Sequence, residues 1–141
     1  MRRINAFSPV FFLLAVTARA QFSGPDACGN CHTQEFREWK PSIHAKAYAS
    51  EVFQKSWKVN GAKPECLACH TTGWEKGTKK FIHEGVTCES CHGPLSESHP
   101  ATQMPIPVSN EMCRACHKCT HAEWKLSAHG QKNIRCFDCH N

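Results

Sequence analysis

Ten of the eleven cysteines form pairs three positions apart, and a histidine directly follows each pair. Thiols in this spacing can add to the two vinyl groups on one edge of a haem, and the next histidine can then bind the iron. Zinc sites and disulfide frameworks do not require a histidine after every pair. The motifs therefore predict five covalent haem c groups. The predicted attachment residues are Cys28, Cys31, Cys66, Cys69, Cys88, Cys91, Cys113, Cys116, Cys136 and Cys139, and the predicted proximal iron ligands are His32, His70, His92, His117 and His140.

Five further histidines match the five irons in number, so bis-histidine ligation of every haem is possible. These candidate distal ligands are His44, His83, His99, His121 and His129. His121 follows His117 by one helical turn, which favours an adjacent haem as its partner. Met104 and Met112 are competitors, but methionine ligation is less expected where imidazoles are plentiful.

An internal repeat singles out two of these histidines. The interval from the proximal histidine to a W-x-x-S-x-H segment is the same after the first and fourth motifs, at Trp39–His44 and Trp124–His129. We expect each tryptophan to pack on one porphyrin while the histidine turns toward another iron. The alternative is a pair of short amphipathic helices with core tryptophans.

Cys119 is the one cysteine outside the motifs. It is either a small side chain beside the fourth haem, the half of an intermolecular disulfide, or an additional axial ligand.

Residues 1–20 have the pattern of a secretory signal peptide. Arg2 and Arg3 precede a short apolar run at 6–17, and the segment ends in Ala18-Arg19-Ala20. Cleavage leaves one domain, residues 21–141, in the periplasm or outside the cell, with no span of its own; an uncleaved anchor is the alternative. The remaining 14 basic and 12 acidic side chains give no basic patch for nucleic acid.

About 24 residues per haem are too few for a conventional apolar core. We expect a mainly α fold with extensive loops and little or no sheet, in which porphyrin faces packed on aromatic side chains form much of the core. The predicted helical regions are Thr33–Gln54, broken at Pro41, and Ser109–Gly130, stopped by Gly130. The predicted loops are 61–64, 73–80 and 94–107.

The segments Gly85–Pro94 and Cys66–Gly73 resemble the tetrahaem cytochrome c-552/4 family. The stretch Cys113–His140 is similar to the pentahaem electron donor of nitrite reductase (NrfB type) and to the decahaem MtrA- and DmsE-type cytochromes. Those relatives are periplasmic electron carriers. The resemblance implies the same role here, and an open iron at the haem of Cys66–His70.

The sequence thus favours an electron carrier over an enzyme. Its expected partners are other cytochromes, reductases or quinol-linked donors, and an oligomer is possible. One alternative is a small reductase of nitrite, hydroxylamine or nitric oxide at an open haem, which His83, Lys79 and Lys80 would serve. Another is a subunit of a cytochrome filament, in which a neighbouring chain caps the fifth haem.

Overall fold

The structure is a computed structural model that describes residues 21–106 and 109–140. The predicted signal peptide lies outside the described residues. The helices are short: α1 Pro25–Gly29, α2 Thr33–Trp39, α3 Glu51–Val59, α4 Leu67–His70, α5 Glu89–His92, α6 Asn110–Arg114, α7 Lys118–Leu126 and α8 Ala128–Gln131. Single turns of 3₁₀ helix cover Pro64–Cys66 and Cys136–Asp138. Turns and loops connect these elements, so the predicted mainly α fold is confirmed.

The sheet of the described region consists of two antiparallel strands of two residues each. Strand β1 is Thr71–Thr72 and strand β2 is His83–Glu84, with Thr72 opposite His83. The predicted loop 73–80 lies between them and contains a bridge from Glu75 to Lys80. Strand β1 follows α4 directly, so Thr72 lies two positions after His70. The pairing of Thr72 with His83 therefore places His83 near the end of the second motif.

The region predicted helical from Thr33 to Gln54 breaks as expected. Helix α2 ends at Trp39, two residues before Pro41, and turns follow. Helix α3 begins after Ser50, whose hydroxyl accepts a hydrogen bond from the backbone of Phe53 at 3.5 Å. This N-cap starts a helix that runs on to Val59, beyond the predicted limit.

Gly130 does not stop a helix as predicted, because it lies inside α8. A Cβ at this position would lie 2.2 Å from the backbone oxygen of Trp124. Glycine is therefore needed here for the close approach of α8 to α7 and not for a left-handed helix end.

The polypeptide has almost no apolar core of its own. Among the described residues, Leu67 is the only buried hydrophobic side chain, while Ile43, Val52, Val59 and Leu126 are each at least 79 % exposed. This agrees with the expectation that bound porphyrins supply much of the apolar surface.

A polar cluster joins the second motif to the third. The buried Thr72 hydroxyl lies 2.9 Å from the Gly85 carbonyl and 2.7 Å from the Ser90 hydroxyl, and it accepts a bond from the Thr87 amide at 2.9 Å. Buried hydroxyls satisfied in this way hold two segments in one relative position.

Glu89, inside the third motif, is the second polar anchor. Its carboxylate is buried and accepts bonds from the backbone amides of Ser23 at 3.0 Å, Gly24 at 2.8 Å and Leu95 at 2.8 Å. Charge-assisted bonds of this kind are stronger than neutral ones. They fix the start of the first motif and the loop after the third motif against α5.

Candidate haem-binding sites

Each cysteine motif folds as a single helical turn. The amide of the histidine donates to the carbonyl of the first cysteine in four motifs, at 2.9 Å from His32, 3.0 Å from His92, 2.8 Å from His117 and 2.9 Å from His140. The second motif forms the same kind of turn across Cys66 and α4. One turn brings both thiols and the imidazole together, as haem c attachment requires.

Backbone carbonyls orient two of the predicted proximal imidazoles. The Nδ1 atom of His70 donates to the Ala47 carbonyl at 2.8 Å, and Nδ1 of His92 donates to the Met104 carbonyl. Since a carbonyl only accepts, each Nδ1 carries the proton and each Nε2 keeps its lone pair for a metal. Phe53 stacks on His70 with ring centres 3.7 Å apart, which further restricts that ring.

Two pairs of imidazoles face each other at the separation expected across an iron. Ring centres lie 6.1 Å apart for His44 and His117, and 6.0 Å apart for His32 and His99. A metal–imidazole bond is about 2 Å long and the ring centre lies about 1 Å further, so two axial imidazoles have centres about 6 Å apart. Both pairs fit a bis-histidine haem. Burial, and then the neighbouring His117, lower the pKa of His44, which favours the neutral form that binds metals.

The remaining three candidate histidines lie in different surroundings. His83 has its Nε2 3.4 Å from the Phe22 carbonyl. His121 is buried, packs on Trp124 with ring centres 5.3 Å apart, and has no hydrogen bond to Nε2, which lies 3.6 Å from Glu111. The His129 side chain is exposed and, within the described chain, has no hydrogen bond or ring contact.

Cys119 and the competing methionines take no part in these pairs. Cys119 is an exposed free thiol on α7. The backbone carbonyl of Met104 accepts a hydrogen bond from His92, a predicted proximal ligand. Met112 lies in α6 beside Cys113.

The sequence repeat is also a repeat of structure. Trp39 Nε1 donates to the Val86 carbonyl, and Trp124 Nε1 donates to the Ile134 carbonyl, both at 2.9 Å. The amide of Val86 donates to the His44 carbonyl, and that of Ile134 to the His129 carbonyl, again both at 2.9 Å. Val86 and Ile134 each stand two residues before a motif, at Cys88 and Cys136. The first and third motifs thus correspond to the fourth and fifth.

Sequence reasoning found the W-x-x-S-x-H half of this repeat and missed the other half. The only available signal was an apolar residue two positions before Cys88 and Cys136. Forty-one residues separate His44 from Val86, but only four separate His129 from Ile134, so the spacing concealed the correspondence.

Thiols from different motifs are neighbours in pairs. Burial, and then the nearby Cys88 thiol, raise the pKa of Cys28 to about 11. Burial, and then Cys69, raise the pKa of Cys116 to about 11. These thiols are therefore protonated at neutral pH in the absence of haem.

The fourth motif has two further thiol neighbours. Burial, and then Cys136, raise the pKa of Cys113, and Cys91 has a smaller effect in the same direction. Cys91 likewise adds to the raised pKa of Cys116. Neighbouring thiols thus connect the first motif to the third, and the fourth motif to both the second and the fifth, while Cys91 of the third motif acts electrostatically on the fourth.

Comparison with known proteins agrees with this chemistry. The sequence model of the family "Cytochrome c554 and c-prime" matches residues 27–93. Cytochrome c-554 of Nitrosomonas europaea is 37 % identical over 98 residues, which are 57 % of this chain and 41 % of that protein. The multiheme cytochrome MtrA of Shewanella baltica is 26 % identical over 98 residues, which are 53 % of this chain and 29 % of that protein. No solved structure gives a significant match.

The attachment motifs, the facing imidazoles and these similarities define the class of protein. The chain is a multihaem c-type cytochrome, with iron-containing haem c as its covalent cofactor. It spans about two-fifths of the length of the cytochrome c-554 relative. In the described region, none of the helices has the length and apolar character needed to cross a membrane.

Proposed function

We propose that this chain is an exported electron carrier with five haems, one on each cysteine motif. The observation that carries the proposal is that thiols of different motifs are close together: Cys28 lies beside Cys88, Cys69 beside Cys116 and Cys113 beside Cys136, and Cys91 of the third motif is near enough to the fourth motif to act on it electrostatically. Because each cysteine bonds to the edge of its own haem, neighbouring cysteines bring neighbouring haem edges together.

The facing imidazoles support stable ligation at two of the irons. We assign His99 to the first haem and His44 to the fourth, from ring-centre distances of 6.0 and 6.1 Å to their proximal histidines. The Nδ1 atom of His99 donates to the Thr102 carbonyl at 3.2 Å, which keeps its Nε2 available.

Position in the fold supports assignments for two more histidines. We assign His83 to the second haem because β pairing holds it opposite Thr72, two residues after His70. We assign His121 to the third haem because Cys91 of that motif neighbours the fourth motif, from which α7 continues. His121, whose Nε2 has no hydrogen bond within the described residues and lies 3.6 Å from Glu111, lines a groove of about 550 Å³. Glu111, Arg114, Lys118 and Lys125 also line this groove, and its three cations are suited to haem propionates.

The chain's residues in this proposal hold and orient the cofactor. Haem iron bound here supplies reversible one-electron chemistry. The Nδ1 bonds of His70, His92 and His99 hold each ring in one orientation and leave its Nε2 free for the iron. The expected partners are other cytochromes, reductases or quinol-linked donors, met in the periplasm after export.

Intact mass spectrometry of the exported protein tests the cofactor count. We expect five haem additions and the loss of residues 1–20. Fewer additions, or retention of those residues, would contradict the five-haem or the export part of the proposal respectively.

Stopped-flow reduction tests electron transfer itself. With a soluble donor in excess, all five haems should be reduced, and the reduced protein should pass its electrons to a second c-type cytochrome without consuming any other compound. Failure to reoxidise on the second cytochrome would contradict a carrier role.

A further inference from the structure

The third motif contains a carboxylate that the polypeptide itself buries. Glu89, between the two cysteines of this motif, is 3 % exposed and is the only buried acidic side chain among the described residues. Its Oε1 accepts from the amides of Ser23 at 3.0 Å and Leu95 at 2.8 Å, and its Oε2 accepts from the amide of Gly24 at 2.8 Å. Acceptance by both oxygens is the bonding pattern of an ionised carboxylate.

The negative charge of Glu89 has no cation beside it. Its three donors are neutral backbone amides, and none of the lysine and arginine side chains in the described residues forms an ion pair with it. Salt and solvent screen a buried charge much less than an exposed one. Glu89 therefore provides a fixed negative charge inside the protein.

Two other acidic side chains near attachment cysteines are exposed and paired with arginines. Asp138, which also lies between the two cysteines of its motif, accepts a bond from Arg135 at 2.8 Å. Glu111, two residues before the fourth motif, accepts a bond from Arg114 at 2.8 Å. Since exposed pairs of this kind are screened by solvent, they act on their surroundings less than Glu89 does.

Two attachment sites lie beside the Glu89 carboxylate. Glu89 directly follows Cys88 of the third motif. In the first motif, it adds to burial and to the Cys88 thiol in raising the pKa of Cys28. The Cys28 thiol also donates to the carbonyl of Gly24 at 3.7 Å, and the amide of Gly24 donates to Glu89. The charge thus lies next to the attachment edges of the proposed first and third haems.

We infer that Glu89 lowers the reduction potentials of the first and third haems and makes them the last of the five to be reduced. The inference rests on the proposed five-haem cytochrome. Reduction adds one electron to a haem iron and lowers its charge by one, so a nearby negative charge favours the ferric state. Glu89 acts only through its charge and neither binds iron nor carries the electron. Electrons therefore rest first on the haems of the other three motifs.

A redox titration of the holoprotein, followed by NMR of assigned haem methyl groups, tests this inference. In Glu89→Gln, the potentials of the first and third haems should rise, each by a roughly tenfold change in the reduction equilibrium, which is about 59 mV for a one-electron couple. The potential of the fifth haem should stay at its wild-type value. Glu89→Asp keeps the charge but disturbs the same hydrogen bonds, so the first and third potentials should stay near those of the wild type.

Asp138→Asn is the matched control, because it also removes a carboxylate from between the two cysteines of a motif. The Asp138 charge is exposed, so its loss should shift the fifth haem less than Glu89→Gln shifts the third. Unchanged first and third potentials in Glu89→Gln overturn the inference. An equal rise in Glu89→Asp also overturns it, because the rise then comes from lost hydrogen bonds and not from lost charge.

The wild type decides the question if Glu89→Gln yields no holoprotein. Its first and third haems should be reduced after the other three, and reduction of the fifth haem after either of them overturns the inference. Intact mass gives the haem count of each protein. A count below five contradicts the five-haem proposal, whereas five haems with the wrong order of potentials contradict only the role of Glu89.

Discussion

Removal of His44 tests the most specific geometric assignment in the structure. The ring centres of His44 and His117 lie 6.1 Å apart, and only the imidazole of His44 reaches toward the iron site between them. Alanine ends at Cβ, too far away to bind, so His44→Ala leaves only water for the sixth position. We expect one of five haems to become high spin, which removes about one fifth of the low-spin signal.

The affected haem can be identified as well as counted. Low-spin signals in the ferric EPR spectrum should fall by one haem, and added imidazole should restore them by filling the vacated space. A second variant, His99→Ala, should produce its own single high-spin haem at the first motif, because His99 faces His32 at 6.0 Å. The double variant should show two, since the two pairs share no ligand.

An unchanged spin state in His44→Ala would refute the reasoning. It would mean that a different side chain binds the fourth iron and that the 6.1 Å approach of the two rings is incidental. Loss of low-spin signal from more than one haem would also contradict it, because the structure assigns this ring to a single partner.

Three further predictions concern the elements around the haem sites. Glu89→Gln should lower the free energy of unfolding in denaturant by about 2–4 kcal/mol, because at least one of three backbone amides at this buried side chain loses its acceptor. Glu84→Gln, at an exposed side chain, should change it by less than about 0.5 kcal/mol. Gly85→Ala should destabilise the fold and convert the fourth haem to high spin, since its Cβ would lie 2.3 Å from a carbonyl beside His44. Gly93→Ala, also at positive φ but in open space, should lower the free energy of unfolding by only about 1–2 kcal/mol and keep the spin state. Native protein should not bind cyanide at the second haem and His83→Ala should bind one equivalent; stoichiometric binding to the native protein would instead favour a reductase.

Features that depend on local spacing could be predicted from the sequence more readily than the arrangement of the motifs in space. A cysteine pair followed by histidine needs only one helical turn, so local spacing determines the geometry of each motif. The separation between Trp39 and His44 was also local, and its recurrence at Trp124–His129 indicated a repeat. Mainly helical structure followed from the small number of residues per haem.

Longer-range features had no local pattern from which to predict them. The pairing of spare histidines with predicted proximal histidines depends on contacts between distant segments. His44 and His117 are 73 residues apart in the sequence, and His32 and His99 are 67 residues apart. Glu89 lies between the two cysteines of its motif, where the motif prescribes no residue type. Only the fold shows that its carboxylate accepts hydrogen bonds from three backbone amides. Gly130 is of the residue type that commonly ends a helix, but here it allows the close approach of the Trp124 backbone.

In the proposed five-haem protein, iron ligation between distant segments holds a small polypeptide together as one body. The ring of His44, which follows the first motif, lies 6.1 Å from that of His117 in the fourth motif, so the proposed fourth haem would join these two parts of the chain. The proposed His32–His99 pair would likewise join the first motif to the loop that follows the third motif. Leu67 is the only buried hydrophobic side chain of the described region, so the proposed iron ligation would have to do what an apolar core does in other domains. The single-domain proposal for residues 21–141 therefore depends on haem. His44→Ala should accordingly loosen the segment around residue 44, as well as open one iron, and hydrogen exchange at the amide of Val86, which bonds to the carbonyl of residue 44, should become faster.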